Sequence, residues 1–170
     1  KGPLQKLDIF GKKKFKNANI HIFIHGGYWR ALDKSDHSQL AKPFVENNIL
    51  YFSINHDLCP TVTLSEIVKQ VTEAIVWIYN NCKKFGGNKN RITISGHSAG
   101  AQAAHTLLVF QSETFKGAGV AKGGAFFAEY SQFRDPETYP AAYFSDNAIA
   151  DINDLNSRGE IDNISNLKER

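Results

Sequence analysis

Two short glycine-rich motifs carry the chemistry that this sequence offers. Gly96-His97-Ser98-Ala99-Gly100 reads as G-x-S-x-G, with the apolar run Arg91-Ile92-Thr93-Ile94-Ser95 before it and an Ala-rich helical stretch to about Val109 after it. A strand that turns this sharply into a helix leaves room only for small residues around the serine. The turn lifts the Ser98 hydroxyl to the N-terminal end of the helix, where developing negative charge is favoured. That is the placement of a nucleophile. The second motif, His25-Gly26-Gly27-Tyr28-Trp29, follows the buried-strand run Ile20-His21-Ile22-Phe23-Ile24. Glycines after a strand let backbone N–H groups point at a carbonyl oxygen, which is what an oxyanion loop must do.

A nucleophilic serine needs a base, and the histidines are His21, His25, His37, His56, His97 and His105. His21 lies within a strand and reads as structural. His37 falls on a polar helix start and reads as exposed. His97 occupies the variable position of the elbow and points away from the hydroxyl. His25 is expected to brace its own loop by hydrogen bonding. His105 lies seven residues after Ser98, roughly 10 Å along the helix axis, too far to take the Ser98 proton. No H-E-x-x-H and no His/Cys/carboxylate cluster has metal-ligand spacing, so no metal is expected. No phosphate loop or dinucleotide fingerprint appears, so no cofactor is expected either.

The elements that must position these motifs alternate. Strand patterns cover 4–10, 20–24, 49–54, 91–95 and 117–124. A helix is expected over 35–47, kinked at Pro43. A second helix opens at a capping box, Thr63-Leu64-Ser65-Glu66, and carries the stripe Ile67, Val71, Ala74, Ile75, Ile78, with Trp77 beside it as a core residue. A third follows Ser98. This alternation predicts an α/β fold, a mostly parallel sheet with helices on both faces. Residues 129–147 read as irregular and 148–157 as a helix broken at Gly159.

Composition agrees with a globular enzyme-sized core. The chain has 170 residues, 42% hydrophobic and 22% charged, which excludes disordered and collagen-like classes. A single domain over 1–170 is expected. There is no apolar run of membrane-spanning length and no apolar signal segment at Lys1-Gly2-Pro3, so a cytoplasmic protein without a membrane partner is expected. The absence of methionine predicts a processed or excised chain. Net charge is +3, with Lys12-Lys13-Lys14 as its densest run. That run reads as a solvated turn, because no aromatic stacking platform accompanies it, and no nucleic-acid partner is expected. Cys59 and Cys82 read as reduced thiols.

Over residues 4–109 the sequence resembles kynurenine formamidase (arylformamidase), in the hormone-sensitive-lipase-like branch of α/β-hydrolases. The matching pieces are His25-Gly26-Gly27-Tyr28-Trp29-Arg30, Asn55-His56-Asp57-Leu58-Cys59-Pro60 with Val62-Thr63-Leu64, and Gly96-His97-Ser98-Ala99-Gly100. The family usually has tyrosine where His56 stands. The resemblance implies hydrolysis of N-formyl-L-kynurenine to kynurenine and formate, with Ser98 as nucleophile. It implies an oxyanion hole from the amides of Gly26, Gly27 and Ala99, and a small-molecule substrate walled by Tyr28 and Trp29; His97, from its place in the elbow, is expected to line the site. The stretches 112–126 and 159–168 look more like the polyhydroxybutyrate-depolymerase group, which makes a short-chain polyester or feruloyl-type esterase the alternative. A hydrolase-like domain that binds without turnover is the contrasting class.

In α/β-hydrolases the chain order is serine, acid, histidine. After His105 the sequence holds no histidine, and the aspartates after Ser98 are Asp135, Asp146, Asp151, Asp154 and Asp162. All five precede the place where an acid-bearing strand is expected. The domain therefore reads as truncated before its acid and histidine, and the 170-residue chain is expected to lack effective hydrolase activity.

Overall fold

The computed structural model describes residues 2–122, together with 153, 154, 156–159 and 162. The described strands are β1 (Leu7–Phe10), β2 (Ala18–Ile24), β3 (Ile49–Ile54), β4 (Gly87–His97) and β5 (Phe115–Ala121). They form one sheet in the order β1-β3-β2-β4-β5. β1 is antiparallel to β3, and the other pairings are parallel. The central strands read as near-continuous apolar runs because both faces of a parallel sheet are covered. Ile20, Ile22 and Ile24 of β2 are fully buried on one face, with Leu50, Phe52 and Ile54 of β3 and Ile92 and Ile94 of β4.

That face packs against α2 (Leu64–Asn81) and α3 (Ala99–Phe110). The α2 stripe Ile67, Val71, Ile75 and Ile78 is buried there, with Ala104 and Leu107 from α3. The opposite face carries His21, Phe23 and Tyr51, covered by Ala41, Phe44 and Val45 of α1 (Ala41–Glu46). Helices thus lie on both faces, as the alternation predicts. His21 is structural: its ring bonds Thr93 Oγ1 at 2.9 Å and Ser95 Oγ at 2.7 Å and stacks on Phe44.

Several expectations differ from the structure in detail. In place of one kinked helix over 35–47, a 3-10 helix (Lys34–Leu40) leads into α1. Pro43 sits third in α1, inside the first turn, where its missing N–H has no intrahelical partner to lose. Thr63 does cap α2, accepting from Glu66 N at 3.2 Å. The Glu66 carboxylate turns instead to Lys69 and Gln70. A full capping box stands at Asp33, bonded reciprocally with Asp36. Trp77 is 39% exposed and leans on Phe85. It lies one residue before Ile78, about 100° round the helix and off the buried stripe. The strand expected over 117–124 begins at Phe115, which is fully buried. β4 starts earlier than Arg91 and runs to His97. Lys12-Lys13-Lys14 is exposed turn, as expected. The irregular 129–147 segment lies outside the described residues. Within 148–157, only Asn153, Asp154, Asn156 and Ser157 are described, and these are helical.

The topology fixes where a ligand site belongs. β2 connects through α1 to β3 on one side, while β4 connects through α3 to β5 on the other. The carboxyl ends of β2 and β4 therefore flank a reversal in strand order, where open α/β sheets leave a crevice. Both glycine motifs sit at that place.

Candidate active site

Ser98 stands between the last residue of β4 and the first of α3, at φ 55°, ψ −121°. A non-glycine residue in that region is strained, and tertiary contacts must hold it. Its own N–H is pinned to Ala121 O at 2.9 Å, which ties the turn to the end of β5. Ser98 forms no capping bond to its helix, so the hydroxyl is not spent on α3. A side chain on Gly96 would strike the Gly100 carbonyl, and one on Gly100 would strike the Ile24 carbonyl of β2. Strand, turn and helix approach so closely that only glycine fits at either place.

The loop after β2 lies directly against this turn. A Cβ on Gly26 would come 2.5 Å from His97 O and 3.0 Å from Ser98 Cβ. Gly27, Tyr28 and Trp29 all have positive φ, at 104°, 54° and 60°. This tight reversal is closed by Arg30 N and Ala31 N on Gly27 O, and tethered by Cys59 N on Trp29 O at 2.8 Å. Among the described residues, the N–H groups of Gly26, Gly27 and Ala99 have no backbone acceptor. The Gly26 backbone packs directly against the Ser98 turn.

The histidines divide sharply. His25 is fully buried and braces the loop: its Nδ1 lies 2.8 Å from Gly26 O and its Nε2 2.9 Å from Asn55 Oδ1. His56 stacks on His25 with ring centroids 4.3 Å apart. Its Nδ1 faces Asp57 O at 2.9 Å and its buried Nε2 has no partner. Burial drives the His56 pKa down to about 4, and the neighbouring His25 charge adds to this. His37 departs from expectation. It is half-buried, 5.2 Å from Phe23 and 6.3 Å from His97 between ring centroids. Desolvation, then the charges of His25 and His97, lowers its pKa. The 3-10 helix that carries it folds over the β2 end, which a polar sequence pattern does not show.

Asn55, His56 and Asp57 follow β3 and stabilise the site from behind. Asp57 accepts from Gln70 Nε2 at 3.1 Å and from Leu4 N at 3.3 Å, fixing α2 and the N-terminal segment. Asn55 Nδ2 donates to Asp33 at 2.6 Å. In the sequence this tripeptide carries part of the family resemblance but no role of its own, and Asp33 is only a polar residue before a helix. Of the pocket residues expected, Tyr28 is 83% exposed and Trp29 packs inward, 5.8 Å from the His56 ring. Asp162 accepts from Glu113 N at 2.9 Å. It therefore sits beyond the C-terminal end of α3, the end opposite Ser98. Among the described residues, no group of three His, Cys, Asp or Glu side chains is placed to hold a metal ion, and no helix is long and apolar enough to cross a membrane.

A family profile named BD-FAE matches residues 7–152. The chain belongs to the BD-FAE family of α/β-hydrolase domains. Within curated proteins it is 32% identical over 106 residues to kynurenine formamidase of Drosophila melanogaster, a match covering 62% of this chain and 35% of that one. It is 33% identical over 124 residues to venom carboxylesterase-6 of Apis mellifera, covering 66% and 22%. The chain thus spans about a third or less of the length of these relatives. A hyperthermophilic esterase from the archaeon Pyrobaculum calidifontis superposes with TM-score 0.64 at 15% identity, over 72% of this chain and 46% of that one. At that identity the likeness concerns the fold.

Proposed function

We propose that this BD-FAE chain carries the nucleophile and oxyanion hole of a serine hydrolase acting on carboxylic esters or aryl formamides. One observation carries the reading: a serine strained at φ 55° in a turn against which the Gly26 backbone packs, with the amides of Gly26, Gly27 and Ala99 lacking backbone partners. In this reading Ser98 Oγ attacks the substrate carbonyl, and the three amides stabilise the negative oxygen of the tetrahedral intermediate. Collapse expels the amine or alcohol and leaves an acyl-serine, which water then hydrolyses. For an aryl formamide the products are the free arylamine and formate.

The substrate reading favoured is N-formylkynurenine, a small molecule received between Tyr28, Trp29 and His97. The names of the curated formamidase relatives and the aromatic pair after Gly27 support it. The ester alternative draws support from the Apis mellifera carboxylesterase. Residues 106–170 hold no histidine. The reading therefore assigns no general base to residues 106–170.

The test compares the protein with its Ser98→Ala variant. Fluorophosphonate labelling and turnover of N-formylkynurenine and p-nitrophenyl butyrate are followed. Both labelling and turnover should vanish in Ser98→Ala. Turnover that survives would remove Ser98 as nucleophile. A preference for the nitrophenyl ester over the formamide would select the ester reading.

A further inference from the structure

The hydrogen bonds around His25 specify its protonation state. Nδ1 faces the Gly26 carbonyl oxygen at 2.8 Å, which can only accept. Nε2 faces the Asn55 amide at 2.9 Å. Which atom of that amide points at His25 is settled by its other neighbours. The backbone N–H of Lys34 lies 3.2 Å from the same atom and must donate to it, so that atom is the oxygen. The other terminal atom lies 2.6 Å from the Asp33 carboxylate, which must accept, so that atom is the NH₂. Turning the amide over would break both contacts together. His25 is thus fully buried with both ring nitrogens against acceptors. A neutral imidazole has one N–H and would set a lone pair against a lone pair at one of the two contacts.

We infer that His25 is held as a doubly protonated imidazolium, and that this buried charge is a positioning device which strengthens the Gly27 amide as an oxyanion donor. The Gly26 carbonyl and the Gly27 N–H belong to one peptide group. A charged donor on that oxygen polarises the peptide and makes its N–H more positive. This second step rests on the proposed reading of Gly27 as an oxyanion donor; the protonation state does not.

The surroundings fit a single cation. From the first 3-10 helix and its cap come Asp33, Lys34 and His37; from the end of β3, His56 and Asp57; from the end of β4, His97. Asp33 is kept ionised, chiefly by the Ser35 backbone N–H, and stands one amide away as counter-charge. The Lys34 ammonium is turned away to Asp8 at 2.8 Å. His56, stacked on the ring, has its Nδ1 at Asp57 O and a buried Nε2 without a partner, and burial lowers its pKa to about 4, so it is neutral. His37 also has its pKa lowered. The site therefore charges one histidine and keeps two neighbours neutral.

The experiment is ring-nitrogen NMR on protein with ¹⁵N-labelled histidine, with His25 assigned through its ring contact to His56. Near pH 7.5, both His25 nitrogens should carry protons and show imidazolium shifts, while His56 shows one protonated and one bare nitrogen. A bare nitrogen on His25 overturns the inference, whatever Ser98 does. Asn55→Leu should return His25 to one proton and lower kcat by about tenfold with little change in KM, less than loss of a whole oxyanion donor costs. Asn55→Asp, which restores an acceptor, should recover both the proton and most of the rate. An imidazolium that disappears in Asn55→Leu without any change in kcat overturns the link to the Gly27 amide. If Ser98→Ala leaves turnover intact while His25 is doubly protonated, the hydrolase reading fails and the protonation state stands.

Discussion

A serine at φ 55° costs about 1–3 kcal/mol, and the contacts that hold it there are backbone atoms of β2, β5 and the loop after β2. Residue-scale changes in that packing should register in turnover before they register in folding. Gly27 has φ 104°, and a Cβ there would meet the Ala31 carbonyl. Gly27→Val should therefore displace the loop and cut turnover by ~10²-fold or more, as losing an oxyanion donor does. Unchanged kcat in that variant would assign the loop another role. The buried histidines give a second prediction. Burial lowers the pKa of both His21 and His56 from 6.5 to about 4. Each is neutral in the fold and takes up a proton on unfolding below pH 6.5. Stability is then fully present above pH 6.5 and falls as pH drops toward 4, by roughly 3 kcal/mol per histidine at most. Urea denaturation at pH 7.5 and pH 4.5 reads this loss, and replacing His21 by Gln should flatten it.

The helices and strands are stabilised by different devices, and substitutions separate them. The N-terminus of α2 depends on the Thr63 hydroxyl alone, since Glu66 bonds elsewhere. Thr63→Ala should cost about 1 kcal/mol, whereas Glu66→Ala should cost much less. Equal losses would show that the reciprocal bond forms in solution. At the other side of the sheet, β5 is anchored by Phe115, fully buried against the core under α3. Phe115→Ala should cost about 3–5 kcal/mol and loosen the Ser98 N–H contact to Ala121. Thermal unfolding checks the first; amide exchange at Ser98 checks the second.

For the molecule as a whole, the crossing from β2 to β3 and from β4 to β5 in opposite directions brings the two glycine motifs together at one crevice. That crevice holds Ser98 and the Gly26 and Gly27 backbone, and the chain has no histidine after His105. His105 itself lies two turns into α3. The purified 170-residue chain is therefore expected to hydrolyse an activated ester at no more than a residual ~10³–10⁴-fold over water, from binding and oxyanion effects. Serine-dependent turnover at ordinary enzyme rates would place the base on His25, His37 or His56 instead. A base on His25 in particular would contradict an imidazolium there, which has no lone pair to accept a proton.

Local sequence was enough for features that local forces decide. Gly96 and Gly100 mark the sharp turn because steric crowding around Ser98 admits nothing larger. The stripe from Ile67 to Ile78 marks α2 because burial of one helix face repeats every three to four residues. The runs 20–24 and 49–54 mark central strands because both their faces are covered. Tertiary structure decided what depends on neighbours distant in the chain. β1 pairs with β3 rather than with β2, its successor. Trp77 turns outward, because helix angle and sheet position set its exposure together. His37 faces the β2 end because the capping box at Asp33 starts a 3-10 helix there. The roles of His25, Asn55 and Asp33 arise only where the ends of β2 and β3 and the first 3-10 helix meet. Hydrogen-bond partners thirty residues apart leave no periodic trace in a sequence, so the charge they confer on His25 is set by the fold alone.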